Sequence, residues 1–510
     1  MSSAVDVVEQ PGLAPAGLDS EAAYAALSAR DRRFDGRIWF GVTSTGVYCR
    51  PVCPAQTPRR ENVRFFAAPA AAVSAGFRAC RRCRPDSAPG SRHWDHRGDL
   101  VARALRLIAD GAVDDGGVAG LARTLHVSER HLHRSLVAEV GAGPQQLALS
   151  RRAQTARLLV EQTDLPLSDI AFAAGFSSIR QFNDVMRREF GAPPSSLRRA
   201  PAPTVPSADQ ALVLRLRLRP PYDADGVGAF LRARAVPGLE VHELSRRGWS
   251  HRRVVPLPNR PAVAEVRLDG DHVVVRSDAD LRDTAALVRR VRRWLDLDAD
   301  PATVGAALSG DPVLAPLVAA LPGMRVPTTV DPWETLVRAV VGQQVSVAGA
   351  TTLLGRIVAE HGSDVAGMRA FPSPDVLAAA GPDVLGGMPR ARAHAVHAAA
   401  EAVASGGVDL GDPDHDRLAA ALLALPGIGP WTVGYLRLRG LADPDAFPAG
   451  DLVLRQSAAA LGLPDDARGL EARSAAWSPW RAYAASHLWA ASPAARRQSR
   501  SDDHVPEEQP

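Results

Sequence analysis

Residues 422–456, LLALPGIGPWTVGYLRLRGLADPDAFPAGDLVLRQ, hold a hairpin rich in glycine and proline between two apolar segments. The hairpin runs from Leu425 to Pro430, and its two glycines lack a Cβ, so backbone N–H groups can approach a ligand closely. Beside the N-terminus of a helix, such N–H groups favour a phosphate. This contact does not depend on base sequence. Further along, Asp451 follows a Pro-Ala-Gly turn.

The hairpin is a helix-hairpin-helix signature, and with the Gly/Pro-rich loop and the acid it resembles the base-excision glycosylase superfamily. More closely, residues 210–490 resemble the AlkA-type 3-methyladenine DNA glycosylases II. The segments that match this family are RPPYDADGVGAFLRARAVPGLE, VVGQQVSVAGA and WSPWRAYAASHLW. The resemblance implies that a damaged base is flipped out of the duplex and that the bond between base and sugar is then cleaved.

The same resemblance implies roles for single residues. Asp451 matches the catalytic carboxylate, which would stabilise the cationic sugar and help water to attack. Alkylated bases such as 3-methyladenine carry a positive charge and are good leaving groups, so an aromatic pocket suits them through stacking and cation–π attraction. The matching pocket positions are Trp431, Tyr435 and Trp489, with Phe230 as a further candidate. The hairpin that would contact the DNA backbone comprises Pro426, Gly427, Ile428 and Gly429. The position that would fill the vacated base stack is Gln344, where the family typically has an apolar residue.

Each assignment has a simpler alternative. Asp451 could act as a helix N-cap, a role that can coexist with catalysis, and each aromatic residue could serve core packing alone.

Three features that the sequence lacks limit the reactions and cofactors that can be expected. All 60 basic residues are Arg, so no lysine can form the imine of bifunctional relatives, and we expect no β-lyase activity. No cysteine follows Cys83, which excludes the iron–sulfur cluster of some relatives. No Pro-Cys-His-Arg run is present, so a suicidal O6-methylguanine transferase activity is not expected.

All four cysteines lie within 35 positions, as Cys49-x3-Cys53 and Cys80-x2-Cys83. Two close pairs on separate turns can bring four sulfurs around one tetrahedral Zn²⁺. A purely structural zinc site is the first alternative. Disulfides are the second, and a cytosolic setting argues against them.

The segments GVYCRPVC and RRENVRFFAAPAAAVSAGFRACRRCRPD resemble the N-terminal domain of Ada-type adaptive-response proteins. In that family one zinc-bound thiolate takes a methyl group from a methylated DNA phosphate. Cys49 matches this nucleophile, and the other three cysteines match the supporting ligands. Methylation would reduce the formal negative charge of the centre and strengthen binding to the phosphate backbone. Arg50, Arg81 and Arg82 are candidates for holding the phosphate.

Residues 94–199 contain two segments with the pattern of a helix-turn-helix motif. In GVAGLARTLHVSERHLHRSLVAEVGAGPQQ, Ser128 is the predicted N-cap of the second helix, and in LSDIAFAAGFSSIRQFNDVMRREFGAPPSSLRR the turn falls at Gly175. The pair resembles the AraC/XylS double helix-turn-helix domain, in which the second helix of each pair enters a major groove. A small helical bundle without groove contact is the alternative. The candidate DNA readers are Arg130, His131, Arg134, Ser178, Arg180, Gln181 and Asn183.

Charge is distributed unevenly along the chain. Residues 1–200 contain 27 Arg and 20 acidic residues, whereas the remainder contains 33 and 36. The basic excess fits nucleic-acid binding by the N-terminal part. No apolar run is long enough to predict a membrane span, and MSSAVDVVEQ lacks the pattern of a secretory signal, so we expect a cytoplasmic location.

The sequence therefore predicts a multidomain protein that is mainly α with α+β parts. The expected segments are a disordered stretch over 1–20, a small zinc-bound α/β domain over 21–90, an all-α double helix-turn-helix domain over 94–199, a linker over 200–210, a small antiparallel-sheet α+β domain over 211–300, an all-α helix-hairpin-helix glycosylase domain over 301–491 and a disordered tail over 492–510.

These features predict a DNA alkylation repair protein that joins a glycosylase to a methyl-phosphotriester sensor and a transcriptional activator. The expected partners are alkylated DNA, promoter DNA and RNA polymerase, the expected cofactor is one Zn²⁺, and a monomer is the default. Two alternatives remain open. One is a non-enzymatic DNA-binding regulator with a degenerate glycosylase half, and the other is a glycosylase with an inert structural zinc domain.

Overall fold

The computed structural model describes residues 20–31, 34–35, 38–80, 82–83, 85, 100–198, 211–246, 248–384 and 387–492. The chain divides into two compact units, one ending at residue 200 and the other running from 201 to the C-terminus. The predicted linker over 200–210 lies outside the described residues. So do the predicted disordered ends, except Ser20 and Ser492.

The first unit begins with a small four-stranded sheet in the order β3-β1-β2-β4. Strands β1 and β2 are antiparallel, as are β1 and β3, whereas β2 and β4 run parallel. Buried aromatic residues such as Phe40 and Phe65 form its core together with the cysteines. The elements of this sheet domain are α1 (Ser20–Ser28), β1 (Trp39–Val42), β2 (Val47–Cys49), β3 (Val63–Phe66), α2 (Pro69–Ser74) and β4 (Arg78–Ala79).

Seven helices complete the described part of the first unit. Ser128 caps the third of them by accepting a hydrogen bond from the His131 N–H at 3.2 Å, so the predicted N-cap is confirmed. Ser178 caps the sixth in the same way, accepting from the Gln181 N–H at 3.1 Å. The helices are α3 (Leu100–Asp110), α4 (Ala112–Thr124), α5 (Glu129–Val140), α6 (Pro144–Gln162), α7 (Leu167–Ala173), α8 (Ile179–Phe190) and α9 (Pro194–Leu197).

The second unit opens with a five-stranded antiparallel sheet in the order β5-β9-β8-β7-β6. The Leu/Arg alternation of the sequence produces β5, in which the leucines Leu212, Leu214 and Leu216 are buried. The elements of this part are β5 (Leu212–Arg217), α10 (Ala224–Arg234), β6 (Glu240–Ser245), β7 (Gly248–Val255), β8 (Ala262–Asp269), β9 (His272–Ser277) and α11 (Thr284–Trp294).

The remainder of the second unit is helical and has two apolar cores. Helices α14, α15, α17 and α19 build one core, whereas α12, α20 and α22 build the other. In chain order the elements are α12 (Pro301–Leu308), α13 (Ala315–Ala320), α14 (Pro332–Val341), α15 (Val347–His361), β10 (Asp364–Val365), β11 (Met368–Arg369), α16 (Pro374–Ala380), α17 (Arg390–Ala404), α18 (His415–Leu423), α19 (Pro430–Arg439), α20 (Leu452–Ala459), α21 (Ala467–Ser474) and α22 (Arg481–Ala490).

A buried ion network joins the five-stranded sheet to α14. Arg253 on β7 and Arg338 on α14 both donate to Glu240, at 2.8 and 2.7 Å, and both also contact Glu334. Burial alone would raise the pKa of Glu240, but the two guanidinium groups outweigh it and hold that pKa well below its usual value. The paired charges fix the sheet against the helical part of the unit.

Among the helices of the described residues, none has the length and apolar character that crossing a bilayer requires.

Candidate functional sites

Asp451 lies where three helices meet. It is the N-cap of α20, and its Oδ1 accepts a hydrogen bond from the Leu454 N–H at 2.8 Å. Trp489 on α22 donates its indole N–H to the same oxygen at 3.0 Å, and Trp431 on α19 donates to Oδ2 at 3.0 Å. A carboxylate only accepts hydrogen bonds, so these three donors match it and fix its orientation. The capping role is thus present, and it leaves the carboxylate held between two indoles.

The predicted pocket aromatics fall into two groups. Trp431 and Trp489 contact Asp451, and the ring of Tyr435, one turn along α19, lies 5.5 Å from that of Trp431. Phe230 and Tyr435 line a neighbouring cavity of about 40 Å³. Two guanidinium groups, those of Arg234 and Arg439, lie 4.2 and 4.4 Å from the centre of the Phe230 ring.

The hairpin joins α18 to α19. Gly427 has a left-handed φ of 76°, and a Cβ at this position would lie 2.6 Å from the Cβ of Ala395. Ile428 is buried and anchors the hairpin in the core, whereas a Cβ at Gly429 would meet open space. Since α19 begins directly after Gly429, its first N–H groups have no partner inside the helix. The geometry suits the approach of an anion.

The loop from α14 to α15 is tied to this hairpin by a residue that the sequence did not single out. The Gln343 amide donates to the Gly427 carbonyl at 2.9 Å and to the Thr432 hydroxyl at 3.0 Å, and Arg392 donates to the Gln343 carbonyl. Next to it, Gln344 is exposed and has a left-handed φ of 52°. Strain of this kind often marks functional positions, and the wedge role of Gln344 stays a prediction.

The four cysteines converge at one end of the sheet domain. Parallel pairing sets Tyr48 beside Ala79, which brings the next residues, Cys49 and Cys80, close together. The Sγ atoms of Cys49, Cys53, Cys80 and Cys83 all lie within 4.8 Å of one another, and all four residues are buried free thiols. Sulfurs around a tetrahedral zinc lie about 3.8 Å apart, since a Zn–S bond is about 2.3 Å long.

Hydrogen bonds among these thiols move their pKa values apart. The Cys49 thiol lowers the pKa of Cys53 to about 7, and Cys53 in turn raises the pKa of Cys49. Four thiolates this close repel one another strongly unless a cation lies between them. A buried, four-sulfur donor set of this geometry fits Zn²⁺.

The environment of Arg50 differs from the one predicted. Its side chain is buried, forms an ion pair with Asp35 and donates to the Cys83 carbonyl at 3.3 Å. Its backbone N–H lies 3.4 Å from the Cys83 Sγ. The prediction that Arg50 holds a DNA phosphate is therefore wrong, because the guanidinium is used inside the domain. Of the other two candidates, Arg82 is exposed and Arg81 lies outside the described residues.

The predicted DNA readers lie at the starts of α5 and α8, on the first two turns or at the N-cap. Arg130, His131 and Arg134 are exposed on α5, as is Arg180 on α8. On α8, Ser178 is engaged as the N-cap, Gln181 accepts from the Ser177 hydroxyl at 3.0 Å, and Asn183 donates to the Ile179 carbonyl at 3.0 Å.

Both of these helices end against the sheet domain. Their C-caps, Gly141 and Gly191, have left-handed φ angles of 77° and 65°. A Cβ at Gly141 would lie 3.1 Å from the Cβ of Ala71, and one at Gly191 would lie 2.7 Å from the Cδ of Arg78. The two close approaches show that the sheet domain and the helices pack together within the first unit.

Comparison with known proteins finds a matching family model for each of the domains described above. The family models that match are the metal binding domain of Ada over residues 22–86, a helix-turn-helix domain over 121–200, the AlkA N-terminal domain over 213–331 and the HhH-GPD superfamily of base excision DNA repair proteins over 337–482. The probable bifunctional transcriptional activator/DNA repair enzyme AlkA of Mycobacterium tuberculosis (strain H37Rv) is 48% identical over 482 residues, which cover 92% of this chain and 96% of the relative.

The chain belongs to this family of bifunctional AlkA proteins. Two further relatives match its separate parts. DNA-3-methyladenine glycosylase 2 of Escherichia coli is 35% identical over 54% of this chain and 95% of its own length. The bifunctional transcriptional activator/DNA repair enzyme Ada of Escherichia coli is 36% identical over 28% of this chain and 38% of its own. The resemblances drawn from the sequence are confirmed, as are the multidomain fold class and a zinc site of four cysteines.

Replacing Gly427 with Ala should weaken DNA binding about tenfold. The new methyl group would meet Ala395 and would strain a left-handed backbone, and together these should cost about 1–3 kcal/mol and displace the hairpin N–H groups. Fluorescence anisotropy with a labelled duplex measures the affinity. Gly462→Ala is the matched control, since Gly462 also has a φ of 76° but a Cβ there meets nothing within 4 Å. Equal affinities of the two variants would contradict the prediction.

Proposed function

We propose that the C-terminal half hydrolyses the N-glycosidic bond of alkylated bases of the 3-methyladenine type in DNA. The observation that carries this proposal is the Asp451 carboxylate, held at 3.0 Å by the indole N–H groups of Trp431 and Trp489. Membership of the AlkA family, together with the HhH-GPD match around this site, supports it.

The proposed chemistry follows from charge. The bond between base and sugar breaks with both electrons going to the base, so a cationic alkylated base leaves as a neutral molecule. Positive charge then develops on the sugar, where the Asp451 carboxylate stabilises it and water completes the hydrolysis. Because the two indoles prevent the carboxylate from rotating, it needs no reorganisation as the charge develops. Trp431, Tyr435 and Trp489 supply aromatic surface for the base.

We also propose that this glycosylase does not cut the strand. An imine with the abasic sugar requires an amine, and the chain contains no lysine side chain to supply it. Hydrolysis should therefore end at an intact abasic site.

For the first unit, we propose that Cys49 accepts a methyl group from a methyl phosphotriester. The bond between the methyl carbon and the phosphate oxygen breaks, a bond to the Cys49 sulfur forms, and the phosphate regains its negative charge. A bound Zn²⁺ would keep the four sulfurs deprotonated near neutral pH. The Ada-type family model over residues 22–86 supports this assignment.

Methylation would leave one negative charge fewer beside the DNA and would strengthen binding through the exposed readers of α5 and α8. We propose that promoter binding then recruits RNA polymerase, and that the protein acts as a monomer in the cytoplasm, where its thiols stay reduced.

One incubation with methylated duplex DNA tests both activities. We expect chromatography to show released 3-methyladenine, gel electrophoresis to show an unbroken strand, and peptide mass spectrometry to show one added methyl group on Cys49. Free base without methylated Cys49 would leave a glycosylase with an inert zinc domain. A methylated Cys49 without free base would leave a regulator with a degenerate glycosylase half. Strand cleavage would contradict the assignment of hydrolysis alone.

A further inference from the structure

Arg439 is a buried charge that the proposed chemistry does not use. It is the last residue of α19 and is 6% exposed. It donates one hydrogen bond, from Nη1 to the Pro327 carbonyl at 2.7 Å, and its Nε has no partner. In the described part of the chain no carboxylate forms an ion pair with it. Burial lowers the pKa of Arg439 to about 10, so the group remains charged at neutral pH. An unpaired buried charge is costly, which makes its presence here informative.

The guanidinium lies against the aromatic residues of the site. It is 5.3 Å from the centre of the Trp489 ring, whose N–H holds Asp451, and 4.4 Å from that of Phe230. It also lines the cavity beside Tyr435.

Helix geometry then sets the direction of the electric field. Trp431, Tyr435 and Arg439 are spaced four residues apart and so follow one face of α19. The carboxylate is bound at the Trp431 end, and Arg439 follows eight residues later, about 12 Å along the helix axis between the backbone positions. Its side chain reaches back to the Trp489 ring and, with Tyr435, lines the cavity.

We propose that Arg439 is an electrostatic positioning residue that drives positive charge from the flipped base toward the sugar beside Asp451. This inference rests on the proposed glycosylase function. As the bond breaks, the base gains an electron pair and becomes one unit less positive, whether it started as a cation or as a neutral molecule. A fixed cation on the base side favours that change in both cases. Before the bond breaks, however, the same cation repels only a base that is already positive.

The inference therefore predicts a split between kcat and KM. Arg439→Gln should lower kcat by about 10- to 100-fold for duplexes with cationic 7-methylguanine and for duplexes with neutral hypoxanthine. It should lower KM about threefold for 7-methylguanine only, because a ground-state repulsion has been removed. Arg439→Met should behave in the same way. Arg439→Lys, assayed at pH 6 to favour the charged form of the amine, should remain within about threefold of wild type.

A purely structural role gives a different pattern. If Arg439 only supports Trp489 and Phe230, Gln, Met and Lys should be about equally damaging and the KM values for the two bases should change together, which would overturn the inference. Arg325→Gln is the matched control, because Arg325 is also buried and stacks on an aromatic ring, at 4.8 Å from Tyr222, but does not line the cavity of Phe230 and Tyr435. Its kinetics should equal wild type.

Circular dichroism checks that each variant is folded. If the Gln and Met variants unfold, the kcat of Arg439→Lys relative to wild type decides between the electrostatic and the structural role. A wild type that releases neither base would contradict the proposed function itself. A wild type that releases both, with unchanged kcat in folded Arg439→Gln, would contradict only the inference.

Discussion

Replacing Asp451 with Asn should reduce the release of 3-methyladenine by about a thousandfold, the largest effect expected of a single substitution in the second unit. The amide has the same shape as the carboxylate, so the Leu454 N–H and at least one indole N–H can still donate to its oxygen. What disappears is the negative charge that offsets the cationic sugar. Single-turnover assays on methylated DNA measure the rate, and anisotropy should show an affinity within a few-fold of wild type.

Asp466→Asn provides the control for helix capping. Asp466 caps α21 by accepting from the Gly469 N–H at 2.9 Å, as Asp451 caps α20. Asn is about as good an N-cap as Asp, so both variants should lose little stability. Only the Asp451 variant should lose activity. A rate above about a tenth of wild type in folded Asp451→Asn would show that the carboxylate is not the catalytic group.

Replacing Cys80 with Ser should abolish zinc binding and unfold the sheet domain. The cysteines form part of its core, and four-sulfur sites in small domains contribute about 10–16 kcal/mol of apparent folding free energy. A serine hydroxyl is a poor ligand for zinc beside three thiolates. Metal analysis should find one zinc per wild-type chain and close to none in the variant. Methyl transfer to Cys49 should be lost with the metal.

The two substitutions act as controls for each other. Asp451→Asn should keep its zinc and its methyl transfer, whereas Cys80→Ser should still release 3-methyladenine. Retention of stoichiometric zinc by Cys80→Ser would contradict the four-cysteine site.

The parts of the fold and of the sites that local spacing determines could be predicted from the sequence. Cys49-x3-Cys53 and Cys80-x2-Cys83 indicate one metal site, because short spacings leave each pair few ways to bind. The Leu/Arg alternation indicates β5, and Ser128 indicates the start of α5.

Contacts between distant segments could not be predicted. Gln343 holds Gly427 across 84 positions, and Arg439 meets Phe230 across a still longer separation. No periodicity or motif encodes these pairs. The prediction for Arg50 failed for the same reason. An arginine beside a reactive cysteine suggests a phosphate partner, but its guanidinium pairs with Asp35, a contact that the sequence does not reveal.

The glycines that end α5 and α8 bear on how this protein can be re-engineered. Both helix ends pack against the sheet domain, at Ala71 and Arg78, so closely that a Cβ at either glycine would force the neighbouring side chain to move. The sheet domain and the helices α5 and α8 therefore pack directly against each other and are not independent modules joined by a linker. A chimera in which another sensor replaces the sheet domain would have to reproduce both contacts. Otherwise α5 and α8 would lose the surface that supports them both.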